Sequence, residues 1–320
     1  MSEVEADVLG APYTAETIIL PDDDEGPVVA TLVHLPSVGQ SRRAVLHVHG
    51  FADYFFQTEY AEWWAARGYD FYALDLRKYG RSLLPHQTAN YVEDLRDYFP
   101  EIDAAWLRIT ERDEHDRVVI TAHSTGGLTV PLWADQRRDQ HRSGTLVGIV
   151  LNSPWFDMQG AWWMRTIGTS VLKQVGARNP KRVIPRTVNG LYARSLHRDH
   201  DGEFDFDLAW KPMESQPVYA GWLRAVRNGH ARLHGGLEVG CPSLVLSSSR
   251  SAMPLEMSDD VHRSDIVLDV NQIRRWAPNL GRHVTSIAIE DARHDVVLSL
   301  PEVREQVYAE MDRWLTAYVD

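Results

Sequence analysis

Arg117-Val-Val-Ile-Thr-Ala-His-Ser-Thr-Gly-Gly-Leu128 is the stretch whose reading decides the fold. Val118, Val119, Ile120 and Thr121 are β-branched and favour a strand; they run directly into Ala122-His123-Ser124-Thr125-Gly126-Gly127, after which the apolar spacing turns helical. A strand that turns sharply into a helix with serine at the corner is a nucleophile elbow. The turn holds the serine in a strained conformation, with its oxygen above the sheet edge. Small residues flank such a serine because strand and helix pass too close for side chains. The usual pattern is Gly-x-Ser-x-Gly; here Ala122 takes the first glycine position and Gly126 the second. A serine between small residues also arises by chance, so the neighbouring chain must supply its partners.

On either side of the elbow, strands alternate with helices, which implies βαβ units and a mainly parallel sheet. Before it come a strand at 44–48 ending in His49-Gly50-Phe51, a helix at 59–67 stopped by Gly68, a strand at 69–76 and a long amphipathic helix at 90–111. After it come the elbow helix at 128–138 and a strand at 147–152. The apolar runs 17–21 and 28–35 read as an antiparallel hairpin. The acidic run Asp22-Asp-Asp-Glu-Gly26 between them reads as a solvated turn, with a cation site as the alternative. Residues 1–16 read as a tail. From Pro154 to 238 the alternation stops, in a stretch holding Trp155, Trp162, Trp163, Trp210 and Trp222 of the chain's 11 tryptophans. Helices are expected there at 160–175 and 214–229. Alternation resumes with strands at 243–247 and 283–290 and a final helix at 301–318 that opens on Pro301. The fold class is therefore α/β, a twisted, mainly parallel sheet with helices on both faces. The expected core is 17–158 with 239–320, and 159–238 is expected to be a helical insertion serving as a lid over the carboxyl ends of the strands.

Composition excludes several functions. The chain has 320 residues, 44% hydrophobic and 24% charged, as in an ordinary globular protein. Its formal net charge of −12 and the lack of any basic run oppose binding to nucleic acid or anionic lipid. The single cysteine, Cys241, allows no intrachain disulfide. The acidic start lacks the features of a signal peptide, and no stretch approaches the roughly 18 consecutive apolar residues of a membrane span. A cytoplasmic location with no integral membrane association is expected.

A serine hydroxyl needs a neighbouring base, and the base needs an orienting group. On this architecture the acid and then the histidine follow the serine, on loops after later strands. Of 14 histidines, His294 alone stands just after the last strand and before the final helix. His283 is at the wrong end of that strand, and His123 lies inside the elbow facing away from the serine oxygen. The acid lies among Asp259, Asp260, Asp265 and Asp269, in the order of preference Asp265, Asp260, Asp269. Asp265 is anchored by the apolar residues after it. Asp259-Asp260 also reads as a solvated pair, and Asp269 as a cap for the helix holding Ile273 and Trp276. The backbone amides of Thr125 and Phe51 are the expected oxyanion donors. His47-Val-His49 has the spacing of two zinc ligands on one strand face, but no further ligands accompany it. No metal or cofactor is expected, and His49 is expected to pack beneath the donor loop.

Taken together, His49-Gly50, Asp75-Leu-Arg-Lys-Tyr-Gly-Arg-Ser82, the Ser124 elbow, the long insertion and His294-Asp295 resemble the α/β-hydrolase fold, in the branch of monoacylglycerol lipase- and lysophospholipase-like serine hydrolases. The resemblance covers 28–158 and 240–318. Segment 75–82 is similar to the family's Asp-x-x-Gly-x-Gly-x-Ser turn, with Lys78 where glycine is usual, and Asn90-Tyr-Val-Glu-Asp-Leu95 resembles the helix that follows it. The family's acid comes a few residues after its strand, whereas Ser247-Ser-Ser-Arg-Ser251 has none. Asp265 therefore implies an insertion over 251–262, and its Asp-Ile-Val resembles the family's Asp-x-Val.

The expected activity is cleavage of small-molecule acyl esters by a Ser124–His294–Asp265 triad. A proline iminopeptidase-type amide hydrolase is the alternative, with Glu203 or Asp205 receiving the substrate's amino terminus. A non-catalytic ligand-binding protein on the same scaffold is a third reading. Haloalkane dehalogenase chemistry is disfavoured because it needs aspartate at the elbow.

Overall fold

The computed structural model describes residues 4–139, 144–159, 178–185 and 189–320. Its strands are β1 (Val4–Ala6), β2 (Thr14–Asp23), β3 (Gly26–Leu35), β4 (Arg43–Val48), β5 (Asp70–Asp75), β6 (Arg117–His123), β7 (Leu146–Asn152), β8 (Ser243–Ser248) and β9 (Val284–Ile289). They form one sheet in the order β1-β2-β3-β5-β4-β6-β7-β8-β9. From β5 to β9 every pairing is parallel, whereas β1, β2 and β3 join antiparallel at one edge.

Two apolar layers cover the sheet, as period-two alternation requires. Leu46, Val48, Ile120 and Ala122 face a layer built with α2 (Phe99–Leu107) and α3 (Gly126–Arg137). Val45 and Val119 face the other layer, built with α1 (Thr58–Ala65) and the C-terminal helix. Among the described residues the remaining α-helices are α4 (Leu191–Leu196), α5 (Ala220–His234), α6 (Asp259–His262), α7 (Val270–Trp276) and α8 (Pro301–Tyr318). Among the described residues no helix is long and apolar enough to cross a membrane.

Residues 4–16 are not the expected tail. β1 pairs with β2, which begins at Thr14. Tyr13 is buried, and Asp7 meets the largely shielded side chain of Arg81 through two hydrogen bonds of 2.7 and 2.8 Å. An arginine removed from water needs carboxylate partners, and Asp7 supplies one from a segment whose composition alone looks dispensable. The helix expected over 90–111 starts later, because Asn90 has φ 58° and Asp94 caps the turn that leads through Leu95–Tyr98 into α2. Pro100 in the first turn of α2 was the legible signal for that start.

The acidic turn between β2 and β3 does hold a cation, one of the protein's own. Lys78 sits at φ 65°, the conformation for which the related turns use glycine, and its ammonium lies 2.7 Å from both Asp23 and Glu25. Glu25 also binds Lys181 at 2.7 Å, and these partners hold its carboxyl far below its usual range despite partial burial.

Of the helices expected in the insertion, that at 160–175 lies outside the described residues. The one expected at 214–229 occurs as α5, displaced because Val183 and Tyr219 form an antiparallel bridge just before it, with Ile184 N donating to Val218 O at 2.8 Å. Pro217 disfavours helix in the preceding residue. Trp222, Val226 and Leu233 of α5 join the same apolar layer as the sheet, so this end of the 159–238 stretch is the helix that crosses from β7 to β8.

Candidate active site

Ser124 stands at φ 51°, a left-handed conformation that L-residues adopt only where the surroundings impose it. Those surroundings are β4 and β7. A Cβ on Gly126 would lie 2.3 Å from the His49 carbonyl oxygen, and one on Gly127 2.7 Å from Pro154 Cβ. The Ser124 amide donates to the Asn152 carbonyl at 3.0 Å, and its own carbonyl accepts from Trp155 at 2.9 Å. Ala122, in the position of the missing glycine, is buried.

Ser124, His294 and Asp265 meet in one line. The Ser124 Oγ lies 3.1 Å from His294 Nε2, and His294 Nδ1 lies 2.9 Å from Asp265 Oδ2. The other oxygen, Asp265 Oδ1, accepts from the amides of Val267 and Leu268 at 2.8 and 2.7 Å. A carboxylate facing Nδ1 sets the tautomer: Nδ1 donates, and Nε2 is left to accept from the serine hydroxyl. Asp265 reaches this point because Ser251 and Asp265 pair as a bridge, with Asp265 N donating to Arg250 O at 3.0 Å. The insertion is thus pinched off at its base, and Asp265 stands beside the residues that directly extend β8. The competing acids are used elsewhere: Asp260 pairs with Arg250 on the surface at 2.8 Å, and Asp269 caps α7 through the Asn271 amide at 3.0 Å.

Thr125 precedes the first turn of α3, at the end of a helix where amides point outward. Phe51 follows Gly50 in the loop after β4. His49 holds that loop from below: its Nε2 accepts from Leu76 N at 3.0 Å, so Nδ1 donates to Gly50 O at 2.8 Å. The Gly50 carbonyl and the Phe51 N–H belong to one planar peptide, so fixing the first aims the second. His47 does not share the face of His49. It packs among Phe55, Tyr60 and Phe71 and bonds Thr121, while His49 lies past the end of β4 against Tyr79. Burial pushes the His47 imidazole down to about 3, and pushes His49 down as well. The pair therefore does not converge on a metal.

The residues missed in the sequence are charged and buried behind the elbow. Asp53 takes Lys211 Nζ at 2.7 Å and His123 Nδ1 at 3.2 Å. Asp295 accepts from Asn152 Nδ2 at 2.6 Å and lies 4.0 Å from His123. Burial opposes charge on His123, but Asp295 and then Asp53 outweigh it and its pKa is raised. Burial likewise opposes charge on Asp53, and Lys211 followed by His123 holds it well below the usual range. Asp295 was visible as the neighbour of His294. Lys211 carries no sequence signal, because its partner lies 158 residues away.

Residues 39–249 match the family described as serine aminopeptidase, S33. In fold the chain is similar to a monoglyceride lipase from Saccharomyces cerevisiae, with TM-score 0.68, 14% identity and 95% of each chain covered. It is likewise similar to a Paleococcus ferrophilus monoacylglycerol lipase, with TM-score 0.62, 19% identity, and 90% of this chain and 98% of that one covered. A carboxyl esterase from Bacillus coagulans gives TM-score 0.67 at 12% identity, with 96% and 99% covered. A search of curated protein sequences returns no match. With the family matched over the sheet and the elbow, and the α/β-hydrolase architecture shared along nearly the whole chain, this protein belongs to the serine aminopeptidase S33 family of α/β-hydrolases.

Proposed function

We propose that the chain is a serine hydrolase of carboxylic esters that works through an acyl-enzyme. The observation that carries this reading is the line from Ser124 Oγ through His294 to Asp265, at 3.1 and 2.9 Å. Ser124 Oγ attacks the acyl carbonyl while His294 Nε2 takes its proton; Asp265 keeps Nδ1 protonated and stabilises the imidazolium that forms. The amides of Phe51 and Thr125 receive the oxyanion. Nε2 then returns the proton to the leaving alcohol, and water, deprotonated by the same nitrogen, releases the acid.

An apolar acyl group fits the aromatic surroundings of Ser124. Phe51 lies against Trp222 with centroids 4.1 Å apart, and Trp155, bonded to the serine's own carbonyl, is 5.9 Å from Trp222. The family's aminopeptidase description makes amide cleavage the second reading. It needs a carboxylate for the substrate's amino terminus, yet Glu203 is engaged by Arg304, and Asp205 by Arg198 at 2.9 Å. These pairings favour the ester.

A fluorophosphonate probe is expected to label Ser124, and Ser124→Ala to abolish both labelling and ester turnover. p-Nitrophenyl esters of increasing chain length are expected to be cleaved far faster than aminoacyl anilides. Turnover surviving Ser124→Ala would overturn the mechanism, and faster anilide cleavage would overturn the substrate class.

A further inference from the structure

We propose that Lys211 is a positioning residue for the oxyanion loop, acting through Asp53. The inference rests on the ester-hydrolase reading above and adds a role for the segment between β7 and β8. In this view that segment completes the catalytic geometry as well as covering it.

The loop that carries the Phe51 amide is under strain. Ala52 has φ 50°, and a Cβ on Gly50 would come within 3.0 Å of Ser124 Cβ and 3.2 Å of His123 Nδ1. A non-glycine residue held in this region is strained, so the loop keeps its shape only if its neighbours impose it. On one side, His49 anchors Gly50 O. On the other stands Asp53, 1% exposed, whose Oδ2 lies 3.5 Å from Gly50 N and 3.2 Å from His123. A carboxylate at that depth needs a cation. Lys211, itself 5% exposed, provides one at 2.7 Å, and its Nζ lies within 6 Å of the ring centroids of Phe56, Tyr192 and Phe206.

The contacts around this pair tie the same two segments together. Asp207 N donates to Tyr54 OH at 2.7 Å, Trp210 stacks edge-on against Tyr54, and Phe206 packs on Phe56. Tyr192 meets the His294 ring edge-on at 5.6 Å. The polar cluster behind the elbow depends on the same lysine: Lys211 and the His123 imidazole face Asp53 and Asp295. Without Lys211, Asp53 keeps His123 and the long contact to Gly50 N but loses its direct ion pair to the segment at 204–212. The loop then relaxes at Ala52 and the Phe51 N–H loses its aim. Such a donor matters in the transition state and little in the ground state, so the loss falls on kcat.

The test compares Lys211→Met, Asp53→Asn, the double variant and Lys211→Arg, each titrated with a fluorophosphonate so that rates are per active site. Lys211→Met is expected to lower kcat on a p-nitrophenyl ester on the order of 10- to 100-fold while KM stays nearly constant. Lys211→Arg should recover part of the loss, and Lys211→Met with Asp53→Asn should be less impaired than Lys211→Met alone, because no lone buried carboxylate remains. Hydrogen exchange gives a readout that does not depend on activity: amides 50–57 should exchange faster in Lys211→Met while the β6 and β7 amides stay protected. A native chain without turnover would remove the hydrolase reading and leave this exchange result to judge the clamp. Unchanged kcat per titrated site, or unchanged exchange at 50–57, would overturn the proposal.

Discussion

Asp265 is where a single residue separates the reading of this protein from its alternatives. Its two oxygens are fully used, one on His294 and the other on the amides of Val267 and Leu268, whereas Asp260 and Asp269 serve a surface pair and a helix cap. Activity and stability should therefore separate cleanly. Asp265→Asn is expected to lower kcat by on the order of 10^3- to 10^4-fold, because an amide facing Nδ1 favours the wrong tautomer of His294. Asp269→Ala should cost about 1 kcal/mol in a guanidinium titration, the usual value of an N-cap, with turnover unchanged. Asp260→Asn should alter neither. Steady-state kinetics and chemical denaturation of the three variants check this, and a large kcat loss in Asp260→Asn would move the acid.

At the scale of elements, the elbow is set by how closely α3 approaches β4. Gly126 faces the carbonyls of Val48 and His49, where an added Cβ would sit at 2.6 and 2.3 Å against backbone that has no room to move. Gly126→Ala is expected to destabilise the fold by about 3 kcal/mol or more, seen as a lowered denaturation midpoint or loss of soluble protein. Ala122→Gly, which restores the usual pattern, should be destabilising by about 1 kcal/mol through lost burial and greater chain entropy, with turnover intact. The glycine on the helix side is the one fixed by a close approach to the Val48 and His49 carbonyls. That is why a serine between small residues was legible from the sequence despite one missing glycine. The Asp265 loop was less legible, because the bridge between Ser251 and Asp265 that returns the acid to β8 depends on backbone pairing that no motif announces.

For the whole molecule, buried histidines govern the response to acid. Burial lowers His47 to about 3, and burial with Arg227 nearby lowers His230 to about 3. Both stay neutral in the folded chain while their unfolded counterparts take up protons near 6.5. Their contribution is therefore intact above pH 6.5 and is lost as pH falls toward their lowered folded values, for His47 by about 2 kcal/mol on reaching pH 5. His49, His115, His234 and His262 shift in the same direction. His123, raised by Asp295 and Asp53, acts oppositely: its stabilisation is present at low pH and is lost as pH rises through its folded value. The net expectation is a denaturation midpoint clearly lower at pH 5 than at pH 7, with His47→Asn showing a shallower dependence. A midpoint that rises on acidification would contradict it.

What the sequence by itself determined is local. The β-branched run at 118–121, the small residues around Ser124, the alternation of strands and helices and the position of His294 after the last strand are each written within a few neighbouring residues, because propensity, turn sterics and periodicity act over that range. Only the tertiary structure decided which aspartate faces His294, that residues 4–16 belong to the sheet and neutralise Arg81, that the acidic turn grips Lys78, and that Asp53 and Lys211 meet beneath the loop after β4. Ion pairs and buried polar contacts join groups far apart in the chain, and their energy arises only when folding has removed them from water.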